Sequence, residues 1–314
     1  MLNRRLLRVK VLQAVYAYHQ SEVKEKRSAL SYLRKSILGI ENTYTGVLQF
    51  VAELFNQVKT KMNPNDKYLK ATDISLRNYH IMTNNMCLDL LLEHPDTASL
   101  FTRPSYNWSA DDDFLKLIFR KVIETAWFEK FVNDEVQSFS KDQNFLLEIV
   151  KYLVEECEDF NLKMEELNIH WQDEKIPVLK SVERLIKSAT ENSKSIELPI
   201  ISKDLDDDLE FVEKLFQFTT DQHEYFEGVI SSHTPGWDPE RIARMDLYIM
   251  TMALVEFVHF PGIPVKVSMN EYLELAKIYS TPQSSKFING ILDTLLNQMK
   301  KSGEIRKVGR GLVE

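Results

Sequence analysis

The residues that could do chemistry in this chain point to binding rather than bond making. Seven histidines are present, yet none falls in an H-E-x-x-H spacing, and no P-loop, G-x-G-x-x-G or G-x-S-x-G stretch occurs. The two cysteines, Cys87 and Cys157, stand alone without a C-x-x-C, which argues against a zinc or disulfide framework. We therefore expect no enzyme, no metal and no cofactor. What remains is charge at defined places. Arg4, Arg5, Arg8 and Lys10 fall within the first 20 residues without a single acid. Cations at a helix N-terminus oppose its dipole, so they are not there to help the helix. A polyanion partner would account for them; a solvated basic end is the alternative. Ser284, Ser285, Lys286 and Phe287 open a second candidate helix. Free amides and a lysine suit phosphate, and an exposed Phe287 would stack on an unpaired base; a core Phe287 is the alternative. The acidic run Asp204, Asp206, Asp207, Asp208 and Glu210 lacks the glycine and final glutamate of a calcium loop, and reads as the acidic start of a helix.

The elements that must position these groups read as helices. Leu7, Val11, Ala14, Val15 and Tyr18 share one face of a helix over 4–20, with Leu6, Val9 and Leu12 elsewhere on it, so that helix packs on more than one side. Residues 25–62 continue as one or two helices, and Asn63-Pro64-Asn65-Asp66 ends them. The middle segment carries helical runs through Phe114–Phe128 and Phe145–Val154, with turn-rich stretches near 93–106 and 188–203. Phe211 to Val229 forms another run, and Trp237-Asp238-Pro239 opens the next helix with Asp238 as cap. In Pro264–Asp293, Ser268 and Glu271 have capping-box spacing, Thr281-Pro282 separates two helices, and Gly290 inside the second suggests close approach of a helix or a ligand. The longest apolar run, Ile249–Val258, is too short to span a membrane and contains Glu256. No signal peptide is read at the start, so a cytoplasmic protein is expected.

Composition bounds the answer. There are 314 residues, 44% hydrophobic, with only 9 glycines, which fits about two domains and a mainly helical chain. The net charge of −8 is unevenly placed: residues 61–210 hold 30 acids and 18 bases, while the flanks hold 17 and 21. Total charge is thus a poor guide to a polyanion partner.

The stretch Pro264–Asp293 resembles the C-terminal signature of the NusB family of bacterial transcription antitermination factors. The match runs through Pro264, Lys266, Val267, Asn270, Glu271, Leu275, Ala276, Lys277, Ser284, Lys286, Phe287, Asn289, Gly290, Leu292 and Asp293. Arg8, Gln13, Ala14 and Tyr16 resemble the family's first helix, and Trp237, Arg241-Ile242 and Ala253-Leu254-Val255-Glu256-Phe257 its middle. Thr251 departs from the pattern, since relatives commonly carry Arg there, and Gln283 replaces an acid found in some.

The resemblance implies an all-α, NusB-like helical bundle with a helical insertion. Residues 1–62 and 206–305 would form the core, 63–205 the acidic insertion, and 306–314 a mobile basic tail. It implies an RNA-binding antitermination factor that pairs with the small-subunit ribosomal protein NusE, holds single-stranded boxA RNA, and joins the RNA polymerase antitermination complex on ribosomal RNA operons. Arg4, Arg5, Arg8, Ser285, Lys286 and Phe287 are the implied RNA contacts; Arg241, Arg244 and Asp246 are the implied partner contacts. Two other readings stay open: a protein–protein adaptor working through the acidic segment, and a non-catalytic accessory subunit of an RNA-modifying enzyme. The family fold also precedes some RNA cytosine methyltransferases that need a downstream Rossmann-type domain; with the signature this close to residue 314, an enzyme of that class is not expected.

Overall fold

The computed structural model describes residues 2–61, 82–133, 137–233, 243–281 and 283–312. In chain order its helices are α1 (Arg4–Gln20), α2 (Lys26–Leu38), α3 (Ile40–Lys61), α4 (Met86–Glu93), α5 (Ser99–Thr102), α6 (Asp112–Ile123), α7 (Ala126–Asn133), α8 (Phe139–Lys151), α9 (Glu158–Leu167), α10 (Trp171–Ser188), α11 (Leu205–Asp221), α12 (His223–Ser232), α13 (Arg244–His259), α14 (Val265–Tyr279) and α15 (Ser284–Ser302). No strand occurs among the described residues, so the protein is all-α as its periodicity implies. No helix among them is long and apolar enough to cross a membrane.

The chain divides into two compact units, residues 1–2 with 38–203 and residues 3–37 with 204–314. The first boundary falls between α2 and α3, not near residue 62. The reason is the apolar face of α3. Phe50 meets Trp108, Phe114 and Phe160 at ring separations of 4.9, 5.7 and 4.9 Å, and Trp171 meets Phe160 at 6.1 Å. Such contacts bury large apolar areas and add edge-to-face attraction. A polar knot accompanies them: buried Glu174 accepts from Thr43 Oγ1 at 3.0 Å and from Asn168 Nδ2 at 2.8 Å. α3 therefore has its partners in α6, α9 and α10.

In the other unit, α1 packs on α11 and α13, and α13 packs on α14 and α15. α13 is apolar nearly all round, with Ile249 to Phe257 entirely buried, as befits a central helix. α11 begins as the acidic run suggests: Asp204 caps it, its carboxylate accepting from the Asp207 amide at 3.0 Å, with Asp206, Asp207 and Asp208 in the first turn. The run Phe211–Val229 is two helices, interrupted at Gln222. Asn63–Asp66, Trp237, Asp238, Pro239 and Pro282 lie outside the described residues.

Two local expectations need correction. Ser268 and Glu271 form no capping box, because α14 already starts at Val265 and the Ser268 amide bonds to Pro264 O at 3.1 Å. Both side chains are used elsewhere. The segment after α15 is not loose. Gly303 ends α15 in the left-handed conformation (φ 78°), the Val308 amide bonds to Pro261 O at 3.1 Å, and Lys307 Nζ donates to Phe260 O at 2.9 Å and Glu256 O at 3.3 Å. An ammonium on the last carbonyls of α13 complements that helix end. Burial nevertheless pushes Lys307 down to about 8, against the raising pull of Glu256.

Candidate functional site

The arginines of the first turn of α1 are positioned by Asn3, whose side chain caps the helix by accepting from the Leu6 amide at 2.8 Å. With no acid of its own in that turn, α1 receives its compensating charge from other helices. Arg4 pairs with Asp207 at the start of α11 and lies 3.7 Å from Asp208. Its guanidinium sits 4.3 Å from the centroid of the Phe211 ring, within cation–π range. Arg5 grips Glu271 of α14 with two bonds, 3.0 and 2.9 Å. That bond holds the Arg5 pKa above its ordinary value.

Arg8 is different in kind. It is 1% exposed and makes a two-bond pair with Glu256, itself 0% exposed, at 2.8 and 2.6 Å. Glu256 also accepts from Ser268 Oγ at 2.6 Å and Tyr272 Oη at 2.9 Å. Burial pulls the Arg8 pKa down, but the Glu256 bonds and charge outweigh it and leave it raised. Tyr272, buried beside Glu256, is held well above its usual range. A buried carboxylate with four donors is a satisfied hub. Arg8 thus ties α1 to α13 and α14, and in this conformation it is not free for phosphate. The sequence signal was there: one acid in an apolar run requires a buried cation, and Arg8 lies among buried apolar neighbours of α1.

Arg4, Arg5 and Arg8 line one groove of about 750 Å³. Asn3, Lys214, Phe211, His259, Phe260 and Val267 complete much of its wall, and Asp207, Glu210 and Glu271 supply acids. It is therefore a mixed-charge groove with an aromatic floor. Ser285, Lys286 and Phe287 do not line it. At the start of α15, Lys286 is exposed and Ser285 and Phe287 are half-buried. Ser284 is buried, its hydroxyl within hydrogen-bond distance of Thr281 Oγ1 at 2.8 Å and Ser280 Oγ at 3.0 Å.

The expected partner contacts separate. Arg241 lies outside the described residues. Arg244 is exposed, donating to Gln20 Oε1 at 3.1 Å. Asp246 is 5% exposed and accepts from the Ser280 hydroxyl, so it holds the turn before α15 rather than an open surface. Thr251, where relatives commonly carry Arg, is fully buried. Gly290 is exposed, and no described residue lies within 4 Å of a Cβ built on it, so no described helix approaches there. Among the described residues, no group of three or more His, Cys, Asp or Glu could hold a metal.

A family profile described as the NusB family matches residues 178–297. The transcription antitermination protein NusB of Bacillus pumilus is 37% identical over 91 residues, which is 29% of this chain and 70% of that protein. The chain belongs to the NusB family. The NusB protein of Salinibacter ruber is 39% identical over 104 residues (33% of this chain, 65% of that protein). That of Chloroherpeton thalassium is 46% identical over 85 residues (27% and 40%). The chain thus spans less than two thirds of the length of these last two relatives. No solved structure matches it. The NusB profile begins at 178, within α10 and ahead of Asp206, and ends within α15. α1 lies outside it, yet packs directly on the profile's α11 and α13. The hub residues Glu256, Ser268 and Tyr272 fall inside it.

Proposed function

We propose that this protein is an RNA-binding transcription antitermination factor. Its relatives carry that antitermination name, and the observation that carries RNA binding is geometric. Two arginines of α1, each more than a third exposed at the side chain, border an aromatic-floored groove in the unit that bears most of the family profile. Arg4 and Arg5 take phosphates, Phe211 lies beneath Arg4, and Lys286 with Ser285 and Phe287 offers a second contact at the start of α15. Arg8 positions α1 instead of touching RNA. The bound RNA is single-stranded and boxA-like. The small-subunit ribosomal protein NusE is the partner, and the complex supports processive transcription of ribosomal RNA operons. Arg244 is the exposed candidate for the partner face. The protein acts by binding, without chemistry.

The test is RNA binding at two salt concentrations, using boxA-like and scrambled RNA, with and without NusE. Preference for boxA that sharpens with NusE, and that weakens in Arg5→Ala and Lys286→Ala, is the expected result. Equal weak binding to both RNAs, unchanged by NusE or by either variant, would overturn the reading.

A further inference from the structure

The arginines assigned to phosphate are not empty-handed, and what holds them bears on affinity. We infer that Glu271 and Asp207 act as an internal phosphate mimic, occupying Arg5 and Arg4 until an RNA phosphate displaces them. The inference rests on the RNA-binding reading above and names residues that set its strength.

The geometry favours displacement over a permanent clamp. Arg5 presents Nε and Nη2 to both oxygens of Glu271, the planar fork that a phosphate also accepts. The pair sits at the groove wall with the Arg5 side chain 48% exposed, so an incoming anion reaches it without unfolding anything. Exposed pairs of this kind contribute little, so an RNA phosphodiester, which carries the same single negative charge as the carboxylate, can take its place. Glu271 has somewhere to turn: its Oε2 lies 3.9 Å from Arg8 Nη1, within the field of the hub. Arg4 adds an independent sign. Its Nη1 is buried from solvent without a hydrogen-bond partner, 3.7 Å from Asp208, while Nη2 is taken by Asp207. A cation in a groove with one unused donor is incompletely satisfied by its own protein.

The consequence is a threshold. Each phosphate contact made by Arg4 or Arg5 releases a carboxylate, so the net counterion release per contact is smaller than for a free arginine. Weak or isolated anions fail to compete, whereas a strand that engages both arginines together succeeds.

The experiment measures binding of a short, labelled, boxA-like single-stranded RNA by the full chain across a salt series. Glu271→Gln and Asp207→Asn, which keep shape but remove charge, should each tighten binding about two- to fivefold and steepen the salt dependence. In an Arg5→Ala background, Glu271→Gln should no longer tighten binding, which separates the gate from general charge removal. Thermal melts confirm that each variant is folded. If Arg5→Ala weakens binding while Glu271→Gln and Asp207→Asn leave it unchanged or weaker, the mimic is wrong and the RNA site stands. If Arg4→Ala and Arg5→Ala have no effect either, the RNA reading falls and the mimic with it.

Discussion

At the residue scale, the decisive pair is Arg8 and Glu256. Read from sequence, Arg8 belongs with Arg4 and Arg5 as a basic residue for phosphate; in the fold it is core. The distinction was only half legible. Glu256 stood out as an acid inside an apolar run, but its partner lies 248 residues away, and no local spacing joins them. Removing one member of a buried pair leaves the other charge uncompensated, which costs about 3–5 kcal/mol. Arg8→Ala should therefore lower unfolding stability by that amount in a urea titration, while Arg5→Ala, at an exposed pair, changes it by less than about 1 kcal/mol. RNA affinity should show the opposite order, with Arg5→Ala the more damaging when both variants are folded. Gly290 makes a second residue-scale case. Its place inside a helix suggested close approach, yet it is exposed with open space around it. Gly290→Ala should raise helix stability by about 0.5–1 kcal/mol. If the same variant also weakens NusE or RNA binding, the glycine serves a ligand's approach, since no described residue comes near it.

At the element scale, helix existence was the most legible feature, because apolar spacing alone specifies it; α1 spans Arg4–Gln20 as its pattern implies. Ends were less so. Ser268 and Glu271 match a capping box in spacing, but the pattern cannot reveal that Glu256 and Arg5 compete for the same side chains. The segment after α15 reads as loose for a similar reason: its basic side chains look solvated until Lys307 is seen on the carbonyls at the end of α13. Gly311 packs there so closely that an added Cβ would lie 1.9 Å from Pro261 O. Gly311→Ala should release this strap, seen as faster amide exchange at Val308 and earlier proteolysis after Lys307. A further element-level device joins α1, α12 and α13. His19 lies 4.3 Å from His223 and 5.2 Å from Tyr248, centroid to centroid. Burial, then the charges of His223, Lys24 and Lys26, hold the His19 imidazole down to about 4. Burial lowers His223 as well, against the raising pull of Glu227. The unfolded chain, titrating near 6.5, binds more protons between these values. The stability contributed by neutral His19 is thus complete above about pH 6.5 and is lost as pH falls toward about 4. His19→Phe keeps the ring packing and should flatten that acid limb of a stability–pH curve.

At the scale of the whole molecule, the chain's charge and its division into units explain each other. Residues 38–203 hold 27 acids and 19 bases, whereas 3–37 with 204–314 hold 20 of each. The entire −8 therefore belongs to one unit, and the unit with Arg4 and Arg5 is neutral. Sequence shows the acidic middle but sets its edge near residue 62, where Asn63-Pro64-Asn65-Asp66 breaks the helical pattern and the resemblance stops; the packing of Phe50 against Trp108 and Phe160 assigns α3 to the acidic unit instead. A neutral unit makes a quantitative demand on RNA binding. Each single-strand phosphate neutralised contributes about −0.7 to the slope of log K against log salt. Arg4, Arg5 and Lys286 together then allow a slope no steeper than about −2.1. Glu271 and Asp207, reclaiming cations as they are displaced, should make the wild-type slope shallower still. A measured slope near −4 or beyond would mean that further basic residues reach the RNA, and that the two arginines of α1 are a minor part of the interface. A shallow slope combined with boxA preference would locate specificity in contacts to the bases, for which the half-buried Phe287 and Phe260 of the groove wall are aromatic candidates.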